Sequence, residues 1–378
     1  MNVRVIAVGI LVAAGALAQQ KLGTVNAETP EGALLQQIGT EQDQAKRIVL
    51  LEDFASKFPK HEGIGWVLAN AQAAYVKAGD VDKVIETGEK LIAHDPNDLD
   101  CAYETLQAAV KKVNPDAVIK WSALTAQVAA KVAASPKPGD EDEVEAWKAR
   151  VDRARQIIPR SEFELYNVAL QAQDPRKRIE LVEALRQRNP KSEYMSKMNS
   201  LAFVSFRQIG DNDKTLAAAE RILATDQSDE DILAFVADQY SQKKRDPDKI
   251  IEYANKLVEV LNTKPKPEGA SDADWTKKKE TLLGLGHFMS GSTYFNQKKY
   301  KQADTSLRAA LPFTTGNDTL KGATLFFLGL SNHNMGNYND ALNFSQQCAA
   351  VKSQFQAKAA ENVRVMKQQG PPAPKKKK

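Results

Sequence analysis

The chain has 378 residues, of which 42% are hydrophobic and 26% are charged, a composition that excludes an intrinsically disordered protein. Its formal net charge is +4, but without Arg4 and the terminal run Lys375 to Lys378 it has 47 basic and 48 acidic residues. This balance, with Lys and Glu interleaved along the sequence, argues against a nucleic-acid binder, which needs clustered basic side chains.

The first residues, MNVRVIAVGILVAAGALAQQ, have the order of a signal peptide. One positive side chain, Arg4, precedes an apolar run from Val5 and the triplet Ala16-Leu17-Ala18. The alternative, an uncleaved membrane anchor, needs about 20 apolar residues to cross the hydrocarbon, more than this run offers. We therefore predict a signal peptide at 1–18, cleaved after the triplet. The protein would then be exported, periplasmic or secreted, with no stable insertion in a membrane.

The body of the chain contains an internal duplication of about 131 residues. The segment KRIVLLEDFASKFPKHE at 46–62 returns as KRIELVEALRQRNPKSE at 177–193, with eight of seventeen positions identical. Residues 75–100 match residues 206–231 at the same offset. After an N-terminal segment at 19–36, we expect a first block at 37–160 and a second at 161–290.

Each block also contains a shorter period of 34 to 37 residues with helical patterning. Such periods predict stacked antiparallel helical hairpins, which bury their apolar faces only against neighbours. In residues 66–96, one helix should stop at Gly79, because glycine readily adopts the left-handed conformation of a helix end. Asp80 should cap the next helix, and Pro96 should follow its end. We expect an all-α fold of this kind throughout.

Proline-rich pieces interrupt the array at 135–143 and 263–274, and we expect surface loops there because the residue before a proline avoids the helical conformation. Near the end, residues 353–370 place Phe355 and Met366 on one helical face, as a capping helix would. The last residues, 371–378, predict a disordered basic tail, with weak contact to an anionic envelope surface as its functional alternative.

Two stretches near the C-terminus carry a motif. Residues 284–317 contain, at fixed spacings, Gly291, Tyr294, Tyr300, Ala303, Leu307 and Ala310. Residues 322–355 contain Leu328, Gly329, Gly336, Tyr338, Ala341 and Cys348. In these positions the chain resembles the tetratricopeptide repeat (TPR) family, in an exported bacterial form. It departs from the motif where His287 and Leu325 replace a Trp and where Asn332 replaces a Tyr. The resemblance implies an α-α superhelix, a TPR-like solenoid, with its C-terminal hairpins at 291–352.

Nothing in the sequence forms a catalytic constellation. The four histidines, His61, His94, His287 and His333, fit no zinc-binding spacing. Cys101 and Cys348 lie far apart in the sequence, and we expect two buried thiols rather than a disulfide. We predict a non-catalytic protein with no cofactor and no bound metal.

The TPR resemblance implies that the first helix of each hairpin lines a concave binding surface. At its inward positions, the expected partner-binding residues are Phe288, Ser292, Phe295, Asn296, Phe326, Leu330, His333 and Asn334. A protein or peptide partner suits such apolar anchors ringed by polar groups. Two alternatives remain: the phenylalanines pack between neighbouring helices, or the groove binds an envelope polysaccharide or other small ligand.

Overall fold

The computed structural model describes residues 26–370, and within this range it contains seventeen α-helices, one short 3-10 helix at Leu311–Thr314 and no β-strand. The α-helices are α1 Pro30–Thr40, α2 Gln44–Lys57, α3 Ile64–Ala78, α4 Val81–His94, α5 Leu99–Lys111, α6 Pro115–Ala133, α7 Glu141–Gln171, α8 Pro175–Arg188, α9 Met195–Gln208, α10 Asn212–Leu223, α11 Glu230–Gln242, α12 Pro247–Thr263, α13 Asp272–Asn296, α14 Tyr300–Ala310, α15 Asp318–Met335, α16 Tyr338–Ala350 and α17 Gln356–Gln369. The predicted all-α fold is confirmed. The predicted signal peptide at 1–18 and the basic tail at 371–378 lie outside the described residues.

The helices form two compact units, one ending at Asp211 and the other beginning at Asn212. In the first unit, each helix from α1 to α9 packs on the next one in the chain, and α3, α5, α7 and α9 also touch in that order. In the second unit, α10 to α17 pack in the same consecutive way, with α11, α13 and α15 in contact. Within each unit the architecture is therefore a stack of helical hairpins, a TPR-like repeat fold.

The first hairpins end and begin at the residues that the sequence indicated. Gly79 follows α3 in the left-handed conformation, with φ of 74°. The side chain of Asp80 accepts a hydrogen bond of 3.0 Å from the backbone N–H of Lys83 and caps α4. The predicted loops are shorter than expected. Residues 135–140 and 264–271 lie between helices, but 141–143 already belong to α7, 263 to α12 and 272–274 to α13, because Asp140 and Ser271 cap α7 and α13.

Helix boundaries recur at the offset of the sequence duplication. Helices α2 and α8 each have 14 residues, and their first residues, Gln44 and Pro175, are 131 positions apart. An ion pair between Lys112 and Asp82 recurs between Lys243 and Asp213. That the two copied blocks superpose stays a prediction.

Glycines allow close helix crossings in the second unit. A Cβ added at Gly291 of α13 would lie 2.6 Å from Cγ of Leu307 on α14. At Gly329 of α15 it would lie 2.7 Å from Oγ of Ser345 on α16. Glycine at these two positions therefore lets α13 approach α14, and α15 approach α16, closely. In the described part of the chain, no helix has the length and apolarity required to span a bilayer.

Candidate partner-binding face

Five phenylalanines from alternate elements of the second unit form one connected set of ring contacts. Phe288 and Phe295 lie on α13, Phe326 and Phe327 on α15, and Phe355 immediately before α17. Ring centroids are 6.2 Å apart for Phe288 and Phe327, 5.1 Å for Phe295 and Phe327, and 4.8 Å for Phe326 and Phe355. We call this continuous set the aromatic row.

The aromatic row lies on the core of the second unit. Phe326 is 7% exposed and belongs to that core, whereas the other four rings are half-buried. Beneath them lie the fully buried side chains of Ala303, Leu307, Leu325, Leu328 and Cys348. Each half-buried phenylalanine is thus partly packed against the core and partly exposed to solvent.

Polar side chains lie at the ends of the same helices. Asn296 is the last residue of α13 and is exposed, as are His333 and Asn334 in the last turn of α15. Nδ2 of Asn334 donates to the backbone oxygen of Leu330 at 2.8 Å, and the side chain of Leu330 is half-buried against the core below the row. We call Asn296, His333 and Asn334 the polar rim.

The remaining predicted residue, Ser292, is half-buried, and its hydroxyl donates within α13 to the backbone oxygen of Met289 at 3.3 Å. Lys358 of α17 also contacts the row, with Nζ 5.9 Å from the ring centroid of Phe326. The structure therefore places the predicted residues on two adjacent first helices, with Phe326 covered and the others at least partly accessible.

Sequence reasoning missed Phe327, whose ring touches all four other members of the aromatic row. A signal for it was present, because Phe327, Leu330 and Asn334 follow the i, i+3, i+7 spacing of one helical face. Phe355 was expected only as part of the capping helix, yet it stacks on Phe326 with an interplanar angle of 25°.

A second aromatic surface, which the sequence analysis also missed, lies in the first unit. Tyr166 of α7 stacks on Tyr194, the N-cap of α9, at 5.5 Å, and Phe163 contacts both rings edge-on. Cations lie over two of these rings: Arg160 over Phe163 at 4.7 Å and Lys197 over Tyr166 at 5.6 Å. We call Phe163, Tyr166 and Tyr194 the tyrosine platform.

Two titratable side chains near the second-unit core have shifted pKa values. Burial raises the pKa of the Cys348 thiol to about 11, so the thiol is protonated near neutral pH. Burial lowers the pKa of His287, whose ring stacks on Phe313 at 6.4 Å. Both cysteines of the chain, Cys101 and Cys348, are free and buried, as predicted. Among residues 26–370, no group of three His, Cys, Asp or Glu side chains is placed to hold a metal ion.

The stacked hairpins, the glycine crossings and the half-buried aromatic row define a helical-repeat protein of the TPR-like kind. No protein-family model matches the chain, and no curated protein matches it in sequence. Among solved structures, it is similar to the crystal structure of a signal transduction ATPase with numerous domains (STAND) protein with a tetratricopeptide repeat sensor from Pyrococcus horikoshii. The identity is 13% and the TM-score 0.29, over 85% of this chain and 43% of that chain. The chain thus spans less than half the length of that protein.

Proposed function

We propose that the chain is a non-catalytic scaffold that binds a protein or peptide partner through the aromatic row and the polar rim. The observation that carries this proposal is that four half-buried phenylalanines, on α13, on α15 and just before α17, belong to one set of ring contacts, while three exposed polar side chains lie at the ends of α13 and α15. Apolar anchors surrounded by polar groups are the usual composition of a peptide-binding surface. Rings that are already fixed by stacking lose little conformational freedom on binding, which favours affinity.

A capture experiment with surface variants tests this function. The double variant Asn296→Ala/His333→Ala removes two exposed members of the polar rim, and Asn339→Ala/Gln346→Ala removes two exposed amides from α16 as a matched control. Immobilised wild-type chain should capture a partner from an envelope extract of the native host. We expect the rim variant to capture about tenfold less partner than the wild type, and the control variant to capture as much as the wild type. The wild type and both variants should have equal circular dichroism spectra. Equal capture by both double variants would contradict the proposal.

We further propose that the protein is exported, to the periplasm or beyond, which rests on the signal-peptide pattern of residues 1–18. Mass spectrometry of the protein from its native host should then find a chain that begins at Gln19. An intact Met1 in a cytoplasmic fraction would refute export.

The tyrosine platform favours a second candidate function, the binding of an envelope polysaccharide, because flat aromatic faces suit the apolar faces of sugar rings. If this function is correct, an oligosaccharide from the host envelope should bind the wild-type chain, and Tyr166→Ala should abolish that binding. A Phe288→Ala variant provides the control, since Phe288 belongs to the aromatic row of the other unit. Unchanged binding by Tyr166→Ala would remove this candidate.

A further inference from the structure

The first unit contains a cleft of about 540 Å³ between α6, α7 and α8. Its walls are mostly apolar, formed by Ile119 and Ala126 of α6, Leu165 of α7 and Ala184 of α8. This volume lies in the range of small-molecule sites, about 300 to 1,000 Å³, and such sites are largely apolar with a few fixed polar groups.

One charged side chain, Arg188, lines this cleft at the last residue of α8. Its Nη1 donates to the backbone oxygen of Ser122 on α6 at 2.8 Å, which holds the guanidinium in place. Its Nε and Nη2 are buried and have no hydrogen-bond partner among residues 26–370. These two N–H groups share one edge of the planar group, the edge that binds both oxygens of a carboxylate.

No carboxylate of the described chain neutralises Arg188 through a hydrogen bond. Burial lowers the pKa of Arg188, and the charge of Glu162 opposes that effect only in part. Glu162 itself accepts a hydrogen bond of 2.9 Å from Nδ2 of Asn189. Arg188 is half-buried, but its two buried, unpaired donors are costly for the fold, which points to a ligand that supplies the missing acceptor.

The first copy of the duplication has residues that correspond to Arg188 and Ala184, and they are paired there in a way that Arg188 is not. At the offset of 131, Arg188 corresponds to Lys57 and Ala184 corresponds to Asp53. In the first copy, Nζ of Lys57 pairs with the carboxylate of Asp53 at 2.9 Å, one helical turn away. In the second copy the carboxylate position is Ala184, whose side chain forms part of the cleft wall.

We propose that this cleft binds a small organic carboxylate: on binding, the Nε–Nη2 edge of Arg188 turns to the cleft and donates to both carboxylate oxygens, and the hydrocarbon body lies against the apolar walls. The exposed amides of Gln127 and Gln187 lie at the same cleft and suit a polar group at the outer end of the ligand. This site uses none of the residues of the aromatic row or the polar rim, so the two proposals stand or fall independently.

Isothermal titration of the full chain with octanoate tests the site, with octanamide as the neutral probe of the same shape. We expect saturable binding of octanoate with one site per chain, and binding of octanamide at least about tenfold weaker. Arg188→Gln removes the charge, and Ala184→Asp supplies the internal carboxylate found in the first copy. Each should weaken octanoate binding about tenfold or more, whereas Lys57→Gln, at the matching end of α2, should leave it unchanged.

Thermal unfolding separates binding from a purely structural role for Arg188. The Arg188→Met variant should have a higher midpoint than the wild type without octanoate, because a buried charge with unpaired donors is gone. It should also lack the rise in midpoint that octanoate gives the wild type. A lower midpoint for Arg188→Met would mean that Arg188 serves only the fold.

Three other results would overturn the proposal. They are no saturable octanoate binding up to about 10 mM, equal binding of octanoate and octanamide, and unchanged binding by Ala184→Asp. Inorganic phosphate is the third probe. If it binds as tightly as octanoate, the cleft binds anions in general and the hydrocarbon part of the ligand contributes nothing, contrary to the proposal.

Discussion

Glu230, at the start of α11, is a buried carboxylate held by two lysines. Its side chain is 5% exposed and accepts hydrogen bonds from Nζ of Lys264, the C-cap of α12, and from Nζ of Lys278 on α13, the latter at 2.8 Å. Burial alone would raise its pKa, but the two lysine hydrogen bonds outweigh burial and lower the pKa to about 2. One ionised side chain thus ties three helices of the second unit together.

This carboxylate should make stability depend on pH in the acid range. Because its folded-state pKa lies below the ordinary value of 4.5, Glu230 stabilises the fold above about pH 4.5, and that stabilisation is lost as the pH falls toward 2. We expect Glu230→Gln to lower the free energy of unfolding by about 1–3 kcal/mol at pH 7 and by much less near pH 2.5. Thermal unfolding across this pH range measures the difference.

Glu86 of α4 supplies the control, since its side chain is 51% exposed and its ion pairs lie at the surface. Glu86→Gln should change stability by less than about 0.5 kcal/mol at either pH. A Glu230→Gln deficit that stays constant from pH 7 to pH 2.5 would show that the ionised carboxylate is not the cause.

Helix α13 both crosses α14 closely and carries two rings of the aromatic row. Gly291 faces α14, where it allows close contact with Leu307, while Phe288 and Phe295 of the same helix contribute to the aromatic row. The position of α13 against α14 therefore sets where the rings of the row lie. Proline, glycine and capping residues made the helix boundaries predictable, because these signals act within a few residues of the chain.

The close crossing of α13 and α14 predicts that even the smallest substitution of Gly291 lowers the stability of the fold. Gly291→Ala places a Cβ 2.6 Å from Cγ and 3.1 Å from the backbone nitrogen of Leu307. The clash should exceed the gain in helix propensity of about 1 kcal/mol, for a net loss of about 1–3 kcal/mol. The midpoint of urea unfolding measures this loss.

A second glycine variant, Gly139→Ala, is the control for Gly291→Ala. Gly139 lies in the loop before α7, and an added Cβ there meets nothing within 4 Å. Gly139→Ala should therefore be neutral or slightly stabilising. If Gly291→Ala is equally harmless, α13 and α14 do not cross as closely as described.

Which face a residue belongs to was harder to predict than the helix that contains it. Counting positions from the TPR motif placed Phe326 on the accessible surface, but the ring of Phe355, from the next element, covers it. The adjacent residue, Phe327, lies among the rings of the row instead. A shift of one position along the helix decides whether a ring is covered or accessible. Which of the two rings is covered depends on how a neighbouring element packs.

At the scale of the whole molecule, the repeats in the sequence predicted the kind of fold but not where the chain divides into two compact units. The boundary between the two compact units, at Asp211 and Asn212, falls inside the second copied block of 161–290. The cleft beside Arg188 was equally invisible in the sequence, since its contact with Ser122 joins residues 66 positions apart. Local periodicity defines the elements, whereas boundaries and clefts depend on contacts between distant segments.

Photo-crosslinking in the native host tests the binding role of the aromatic row and polar rim most directly. A benzoylphenylalanine in place of His333 lies in the polar rim, and the same residue in place of Gln346 lies exposed on α16. After irradiation, we expect one partner protein linked to position 333, identified by mass spectrometry, and no such adduct from position 346. Equal adducts from both positions, or none from position 333, would contradict a partner-binding face at these residues.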